Sequence, residues 1–236
     1  MANNYFSFKQ FTVCQDRCVF KVGTDGVLLG ASADISGVSH ILDIGTGTGL
    51  IALMLAQRCN AEIVAIEPDR SSFGQACENA EKSKWSSRIS VLNVSLQDYK
   101  PGDRRFELII SNPPFFSDSL RNPDMIKAAA RHNDHLSNKD LLEGTVRLLS
   151  DFGRLQVIMP YVEGNILIAE AQEYGLYCNN ILKIKPLPTS EVRRLILTFS
   201  RQKQKTSEKF LTIEHGKRHE FTEEYKKITK DFYLKF

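Results

Sequence analysis

The feature that most constrains the fold is the regular alternation of short apolar runs with amphipathic segments along the middle of the chain. The runs ILDI, IVAI and ELII are apolar almost throughout, which is typical of strands buried on both faces of a parallel sheet. The predicted strands cover residues 40–44, 62–66, 89–93, 107–111, 154–159, 180–185 and 192–200. The predicted helices cover residues 26–35, 50–58, 70–83, 138–150, 162–174 and 222–230. This alternation predicts an α/β fold with a mostly parallel sheet and helices on both faces.

The last two predicted strands break the alternation. Only residues 186–191, which include two prolines, separate them, and so short a connection cannot hold a crossover helix. We therefore expect these two strands to pair antiparallel. At 236 residues the chain has the length of a single domain. We expect an N-terminal segment and helix (1–39), a core sheet (40–200) and a basic C-terminal extension (201–236).

Composition excludes several classes of protein. Hydrophobic residues make up 42% of the chain, which is too high for a disordered protein. No apolar run approaches the ~18 residues that span a bilayer, and no secretory signal is visible, so we expect no membrane partner. The five cysteines are scattered, odd in number and without a CxxC pair. This usage predicts a reducing cytoplasm, no disulfide framework and no metal site.

The net charge of +3 is unevenly distributed. Residues 183–236 carry 14 Lys and Arg against 7 Asp and Glu, whereas residues 1–182 carry 17 against 21. A basic tail on a mildly acidic body favours contact with an anionic partner, and nucleic acid is the first candidate. The alternative is a solvated basic surface without a partner.

A glycine-rich loop follows the first predicted strand of the sheet. It reads Gly45-Thr46-Gly47-Thr48-Gly49 and leads directly into a helix. Glycines at such a turn let a ligand lie against the backbone, next to the free N–H groups of the helix. Asp43 would repel a pyrophosphate but would suit a ligand with an amino or sulfonium group. The spacing is GxGxG rather than the GxGxxG of dinucleotide-binding folds.

Two further carboxylates follow neighbouring strands. Glu67 ends the second strand, where a carboxylate is well placed to accept hydrogen bonds from a ribose diol. Asp98 lies just past the third strand, where it could hold the amine of an adenine ring.

The fourth strand ends in Asn112-Pro113-Pro114-Phe115. Two consecutive prolines cannot continue a strand or helix, so the chain is rigid here and its carbonyls lack ladder partners. The Asn112 amide oxygen and the Pro113 carbonyl are two acceptors beside the aromatic face of Phe115. Such an arrangement suits a planar group that carries an NH₂.

Together, the glycine loop and the Asn-Pro-Pro-Phe element resemble the class I S-adenosylmethionine-dependent methyltransferases that methylate amino groups of planar substrates. The resemblance implies a seven-stranded sheet of order 3-2-1-4-5-7-6. It also implies that the cofactor is S-adenosylmethionine, with its methionine and sulfonium end near Asp43, Gly45, Thr46, Gly47 and Gly49. Glu67 would bind the ribose and Asp98 the adenine. Asn112, Pro113, Pro114 and Phe115 would form the catalytic element, in which Phe115 stacks on the target base.

The front of the chain, from Phe8-Lys9-Gln10-Phe11 to Lys21–Gly30, resembles the bacterial tRNA(Val) adenine-N6 methyltransferases, as do Ala130-Arg131-His132 and the ending 221–234. This resemblance implies tRNA as substrate, with adenine 37 as the target base, and places Thr24 and Asp25 near the methionine end of the cofactor. Lys127, Arg131 and His132 would border the target nucleotide. We expect a monomer.

Three alternatives remain open from the sequence. Another amino-methylating enzyme of this fold could act on a ribosomal RNA guanine or on a protein glutamine. A nicotinamide-dependent oxidoreductase would also use a glycine loop, although Leu50 replaces its third glycine. The third alternative is an RNA-binding module without activity.

Overall fold

The centre of the molecule is an eight-stranded sheet, in a computed structural model that describes residues 3–18, 20–113 and 136–235. The strands are β1 (Tyr5–Ser7), β2 (Thr12–Cys14), β3 (His40–Ile44), β4 (Glu62–Ile66), β5 (Ile89–Leu92), β6 (Phe106–Ser111), β7 (Leu149–Pro160), β8 (Tyr177–Lys185), β9 (Arg194–Ser200) and β10 (Ser207–Thr212). The helices are α1 (Thr24–Ser32), α2 (Leu50–Arg58), α3 (Arg70–Glu81), α4 (Asn138–Leu148), α5 (Tyr161–Ala171) and α6 (Glu223–Thr229). Single 3₁₀ turns occupy Ser86–Arg88 and Gln172–Tyr174.

The order of the sheet is β5-β4-β3-β6-β7-β9-β8-β10. The strands from β3 to β7 pair in parallel, and β9 is antiparallel to both of its neighbours, β7 and β8. The predicted α/β class and the predicted antiparallel pair are therefore confirmed. The seven expected strands follow one another in the expected order, but the expected count of seven is wrong.

The eighth strand is β10, which pairs in parallel with β8 at the edge of the sheet. The sequence analysis missed it because four of its six residues are exposed and only Leu211 is buried. An edge strand is held by backbone hydrogen bonds to one neighbour and needs no apolar run. The separate two-stranded hairpin of β1 and β2 was missed because its strands are only three residues long.

Side chains alternate between the two faces of the sheet and so produce two hydrophobic cores. Ile41, Ile63 and Leu108 belong to the core shared with α1, α2 and α6, and Leu42 and Val64 belong to the core shared with α4 and α5. Because the central strands are covered on both faces, they consist of uninterrupted apolar residues. The carboxyl ends of the parallel strands meet at one edge of the sheet, which we call the carboxyl edge.

Candidate functional site

The glycine loop and Asn112 leave the carboxyl edge from adjacent strands. Ile44, the last residue of β3, is in register with Ser111, the last residue of β6. The Ser111 hydroxyl donates a hydrogen bond to the Ile44 carbonyl (2.9 Å), which ties the two strand ends together. Neighbouring strands lie ~4.8 Å apart, so Gly45 and Asn112 begin side by side. Two motifs 67 residues apart in sequence, counted between Ile44 and Ser111, therefore share one site.

The glycine loop folds back over the end of β4. The Gly45 and Thr46 N–H groups both donate to the Ile66 carbonyl, at 2.9 and 3.1 Å. Gly45, Gly47 and Gly49 have φ values of 67°, 57° and 81°, a region that favours glycine. A Cβ added at Gly45 or Gly47 would meet no atom within 4 Å. Among the described residues nothing fills the space beside these two glycines, so the loop leaves room for a ligand against its backbone.

Asp43 lies below this loop with only 1% of its surface exposed. Its Oδ2 atom accepts a hydrogen bond from the Thr46 hydroxyl (2.6 Å), whereas Oδ1 has no hydrogen-bond partner within the described part of the chain. Burial raises the pKa of Asp43 to about 7, against the opposing effects of Thr46 and of the Ala52 N–H, and the charge of Glu67 adds to the rise. A buried carboxylate with a free oxygen fits a cationic ligand group.

Glu67 is also buried, at the end of β4. Its Oε2 atom accepts a hydrogen bond from Gly47 N–H (2.8 Å) and its Oε1 atom accepts one from Asp69 N–H (3.0 Å). Burial raises the pKa of this carboxyl, and the two N–H donors limit the rise. Each carboxylate oxygen keeps a second lone pair, so Glu67 can also accept hydroxyl hydrogen bonds from a ligand.

Asp98 is an exposed residue of the turn after β5. The Ser95 hydroxyl donates to Asp98 Oδ2 (2.7 Å). The turn is held by Arg147 of α4, whose guanidinium donates to the carbonyls of Leu96 (2.7 Å) and Tyr99 (2.6 Å). Sequence reasoning missed Arg147 because its partners are backbone atoms about 50 positions away, which no local pattern signals.

The first turn of α1 forms another wall of the site. Thr24 is its first residue, and a Cβ added at Gly26 would lie 3.8 Å from Asn112 Nδ2 and 3.0 Å from Leu50 Cδ2. Asp25 Oδ2 accepts a hydrogen bond from Arg194 Nε (2.7 Å), a contact that the sequence analysis did not predict.

The structure describes only some of the predicted catalytic and substrate-binding residues. Asn112 is half-buried and Pro113 is buried at the end of β6. The other members of the predicted catalytic and substrate-binding sets lie outside the described residues, namely Pro114, Phe115, Lys127, Arg131 and His132. Within the described ranges no helix is long and apolar enough to cross a bilayer, and no group of three His, Cys, Asp or Glu could hold a metal ion.

The model of the methyltransferase small domain family matches residues 24–159, which include the glycine loop, Glu67 and Asn112. A predicted O-methyltransferase from Agrobacterium tumefaciens has a similar fold, with a TM-score of 0.67 over 88% of this chain and 96% of that one, at 21% identity. This likeness supports the fold alone.

Curated relatives match the chain over all or nearly all of its length. The tRNA1(Val) (adenine(37)-N6)-methyltransferase of Trichodesmium erythraeum is 48% identical over 240 residues, which is 100% of both chains. The enzyme of the same name from Bacteroides thetaiotaomicron is 45% identical over 99% of both chains. The chain belongs to this family. Membership of the tRNA1(Val) (adenine(37)-N6)-methyltransferase family confirms the predicted methyltransferase class and leaves no support for an oxidoreductase.

Proposed function

We propose that the protein transfers a methyl group from S-adenosylmethionine to N6 of an adenine in tRNA, at adenine 37 of tRNA(Val). The observation that carries this proposal is the position of Asn112, which leaves the sheet directly beside the glycine loop. The full-length relatives carry the name of this activity. The enzyme acts as a monomeric single domain in the cytoplasm, where tRNA is modified.

The residues around the glycine loop fit the cofactor. S-adenosylmethionine supplies a methyl group already activated by a sulfonium. The Asp43 carboxylate, whose Oδ1 is buried and has no hydrogen-bond partner in the described part of the chain, supplies negative charge beneath the cationic end. The open side of Gly45 and Gly47 admits the methionine part, with Thr24 and Asp25 nearby. Thr46 orients Asp43, and Gly49 carries the loop into α2. Glu67 accepts hydrogen bonds from the ribose, and Asp98 accepts one from the adenine amine, beside Leu96 and Gln97.

Asn112 and Pro113 hold the target amine. The N6 lone pair of adenine is delocalised into the ring, so N6 is a poor nucleophile. Hydrogen bonds from N6–H to Asn112 Oδ1 and to the Pro113 carbonyl favour a pyramidal nitrogen as the new bond forms. Positive charge develops on N6 during transfer, and fixed acceptors stabilise that charge more than the ground state. The new N–CH₃ bond would form as the S–CH₃ bond breaks, leaving S-adenosylhomocysteine, and the surplus N6 proton would pass to water after the transfer. No general base is needed before the attack, because placement in line with the methyl group is the main requirement.

The substrate is contacted by the rest of the predicted catalytic element, Pro114 and Phe115, and by the basic residues that follow it. Phe115 stacks on the target base, a contact worth ~1–3 kcal/mol, and Pro114 stiffens the element that presents it. Lys127, Arg131 and His132 border the target nucleotide. An anticodon loop already presents bases that are partly unstacked, which lowers the cost of moving adenine 37 into the pocket.

Mass spectrometry of nucleosides tests this proposal against the other amino acceptors. The protein is incubated with labelled cofactor and total RNA or total protein from cells that lack the gene. We expect label in N6-methyladenosine from the tRNA fraction. Label in N2-methylguanosine of ribosomal RNA, or in methylated glutamine, would overturn the assignment of substrate.

Substitution of Gly45 tests whether the loop cradles the cofactor. Gly45 and Gly37 have nearly identical φ values, 67° and 66°, and a Cβ at either would meet no atom within 4 Å. Either substitution by alanine therefore introduces the same backbone strain, about 1 kcal/mol. We expect both variants to lose similar stability in thermal unfolding, but only Gly45→Ala to bind S-adenosylmethionine at least tenfold more weakly by calorimetry. Equal affinity in the two variants would contradict the cradle.

Lys203 and Lys205 of the C-terminal extension lie near the start of β8, far from the predicted catalytic element. Lys203 Nζ lies 5.7 Å from the centre of the Tyr177 ring, at the start of β8 and so opposite the carboxyl edge. The seven residues of β9 lead from Arg194 at the carboxyl edge to Ser200, which is in register with Tyr177, over a distance of about 20 Å. Lys203 and Lys205 can therefore hold only phosphates of an RNA stem that extends down the sheet from the target loop.

Charge reversal of Lys203 and Lys205 tests whether this part of the C-terminal extension binds tRNA. Replacing Lys203 and Lys205 by glutamate should weaken tRNA binding and reduce the slope of log affinity against log salt by about 1–2, since each neutralised phosphate releases counterions. The matched control is Lys82→Glu with Lys84→Glu. It makes the same charge change just after α3, close to β5, the edge strand on the opposite side of the sheet from β10. An unchanged salt slope in the first variant would assign this part of the tail to solubility.

A further inference from the structure

Arg194 reaches from the antiparallel strand to the first turn of α1. It is the first residue of β9, in register with Pro160 at the end of β7 and with Ile184 of β8. Because β9 runs against its neighbours, its beginning lies at the carboxyl edge. Arg194 Nε donates to Asp25 Oδ2 at 2.7 Å, and Arg194 Nη1 donates to the Arg193 carbonyl at 3.1 Å. The guanidinium is therefore fixed at two points, one of them an ion pair across 169 positions of sequence.

The turn that Arg194 holds touches both halves of the site. Gly26 follows Asp25 and packs against Leu50, the residue that follows the glycine loop. The same glycine lies beside the Asn112 side chain, where an added Cβ would be 3.8 Å from Nδ2. A displacement of this turn would therefore change the room available to the Asn112 side chain and so the orientation of its amide.

We infer that Arg194 is a positioning residue, whose ion pair with Asp25 holds the first turn of α1 against Asn112. The inference rests on the proposed function and adds a residue from the C-terminal half of the sheet. It also refines the expectation for Asp25. One oxygen of that carboxylate is already bound to a guanidinium, so the pair as a whole carries no net charge towards the cofactor.

Three variants test this role with the full-length protein. Arg194→Met removes the ion pair, Asp25→Asn weakens it from the other side, and the double variant removes both partners. We expect Arg194→Met to lower kcat about ten- to a hundredfold with saturating cofactor and tRNA, the loss typical of a misplaced catalytic group. The affinity for S-adenosylmethionine and the KM for tRNA should change by less than about threefold in this variant, since the Arg194 side chain contacts Asp25 and a backbone carbonyl rather than a ligand.

Two comparisons separate positioning from general charge or stability effects. Arg193→Ala removes one positive charge from the adjacent exposed position and keeps the backbone carbonyl, so its kcat should equal that of the wild type. The double variant should lose no more kcat than the worse single variant, because the partners act as one unit. Arg194→Lys, which can keep the ion pair, should recover part of the lost kcat.

Other outcomes would overturn the inference. A higher KM for tRNA with a flatter salt dependence and an unchanged kcat would make Arg194 a phosphate contact. Weaker binding of S-adenosylmethionine as the main effect would make it a cofactor residue. Equal losses of kcat in Arg193→Ala and Arg194→Met would show that Arg194 acts only through its surface charge. Absence of activity in the wild type would instead contradict the proposed function, so the two failures are distinguishable.

Discussion

Asn112→Ala should fold, bind S-adenosylmethionine as the wild type does, and transfer methyl groups ~10²–10³ times more slowly. Removing one preorganised hydrogen-bond partner of a transition state typically costs that much in rate. The side chain is half-buried, and Ser111 rather than Asn112 ties the strand ends together. The substitution should therefore leave the thermal unfolding temperature nearly unchanged. Single-turnover kinetics with tRNA would measure the rate of transfer, and calorimetry would measure cofactor affinity.

The control for this experiment is Asn60→Ala, which removes an exposed asparagine in the turn between α2 and β4. That variant should transfer methyl groups at the wild-type rate. If Asn112→Ala also transferred at nearly that rate, the proposed mechanism would be wrong, because it assigns the Asn112 amide oxygen a direct part in stabilising the transition state.

Asp43→Asn should reduce the affinity for S-adenosylmethionine at pH 8 by at least tenfold. A hydrogen bond to a charged group contributes about 1.5–3 kcal/mol, and tenfold corresponds to about 1.4 kcal/mol. In the free wild-type protein the pKa of Asp43 is about 7, so the carboxyl must lose its proton when a cation binds below that pH. The wild-type affinity should accordingly fall by up to tenfold per pH unit below 7. The affinity of the asparagine variant should not show this dependence.

The Asp43 carboxyl also makes the stability of the cofactor-free protein depend on pH. The folded-state pKa of this acid, about 7, lies above its ordinary value of 3.8. Between these two values the folded state binds more protons than the unfolded state, so stability falls as pH rises from about 4 to 7 and then levels off. The raised pKa of Glu67 acts in the same direction. At pH 8 the free Asp43→Asn protein should therefore unfold at a higher temperature than the wild type, although it binds cofactor more weakly.

Asp103→Asn is the control for both measurements, because Asp103 is exposed in the loop before β6. It should match the wild type in cofactor affinity and in the pH dependence of unfolding. A wild-type cofactor affinity that is constant between pH 5 and 8 would contradict the assignment of Asp43 to the cationic end of the cofactor.

Residues that carry chemistry within a local motif could be predicted from the sequence. The glycine loop and the Asn-Pro-Pro-Phe element each follow an apolar strand, and parallel strands bring such ends to one edge. The structure places Asn112 beside the loop for this reason. The roles assigned to the individual site residues stay predictions, since each depends on ligands.

Residues that act through distant backbone or side-chain partners could not be predicted in this way. Arg147 holds the turn that carries Asp98, and Arg194 holds the turn that carries Asp25, through contacts that only the folded chain creates. The edge strand β10 was missed for a related physical reason, since its pairing depends on backbone hydrogen bonds to β8 rather than on an apolar pattern.

The most direct test of the account is methyl transfer by the purified protein to an unmodified tRNA(Val) transcript, followed by mapping of N6-methyladenosine. We expect one methyl group per transcript, located at adenine 37, and none in a transcript that carries guanine at that position. Methylation at another adenine, equal labelling of the guanine transcript, or no transfer to tRNA at all would contradict the account.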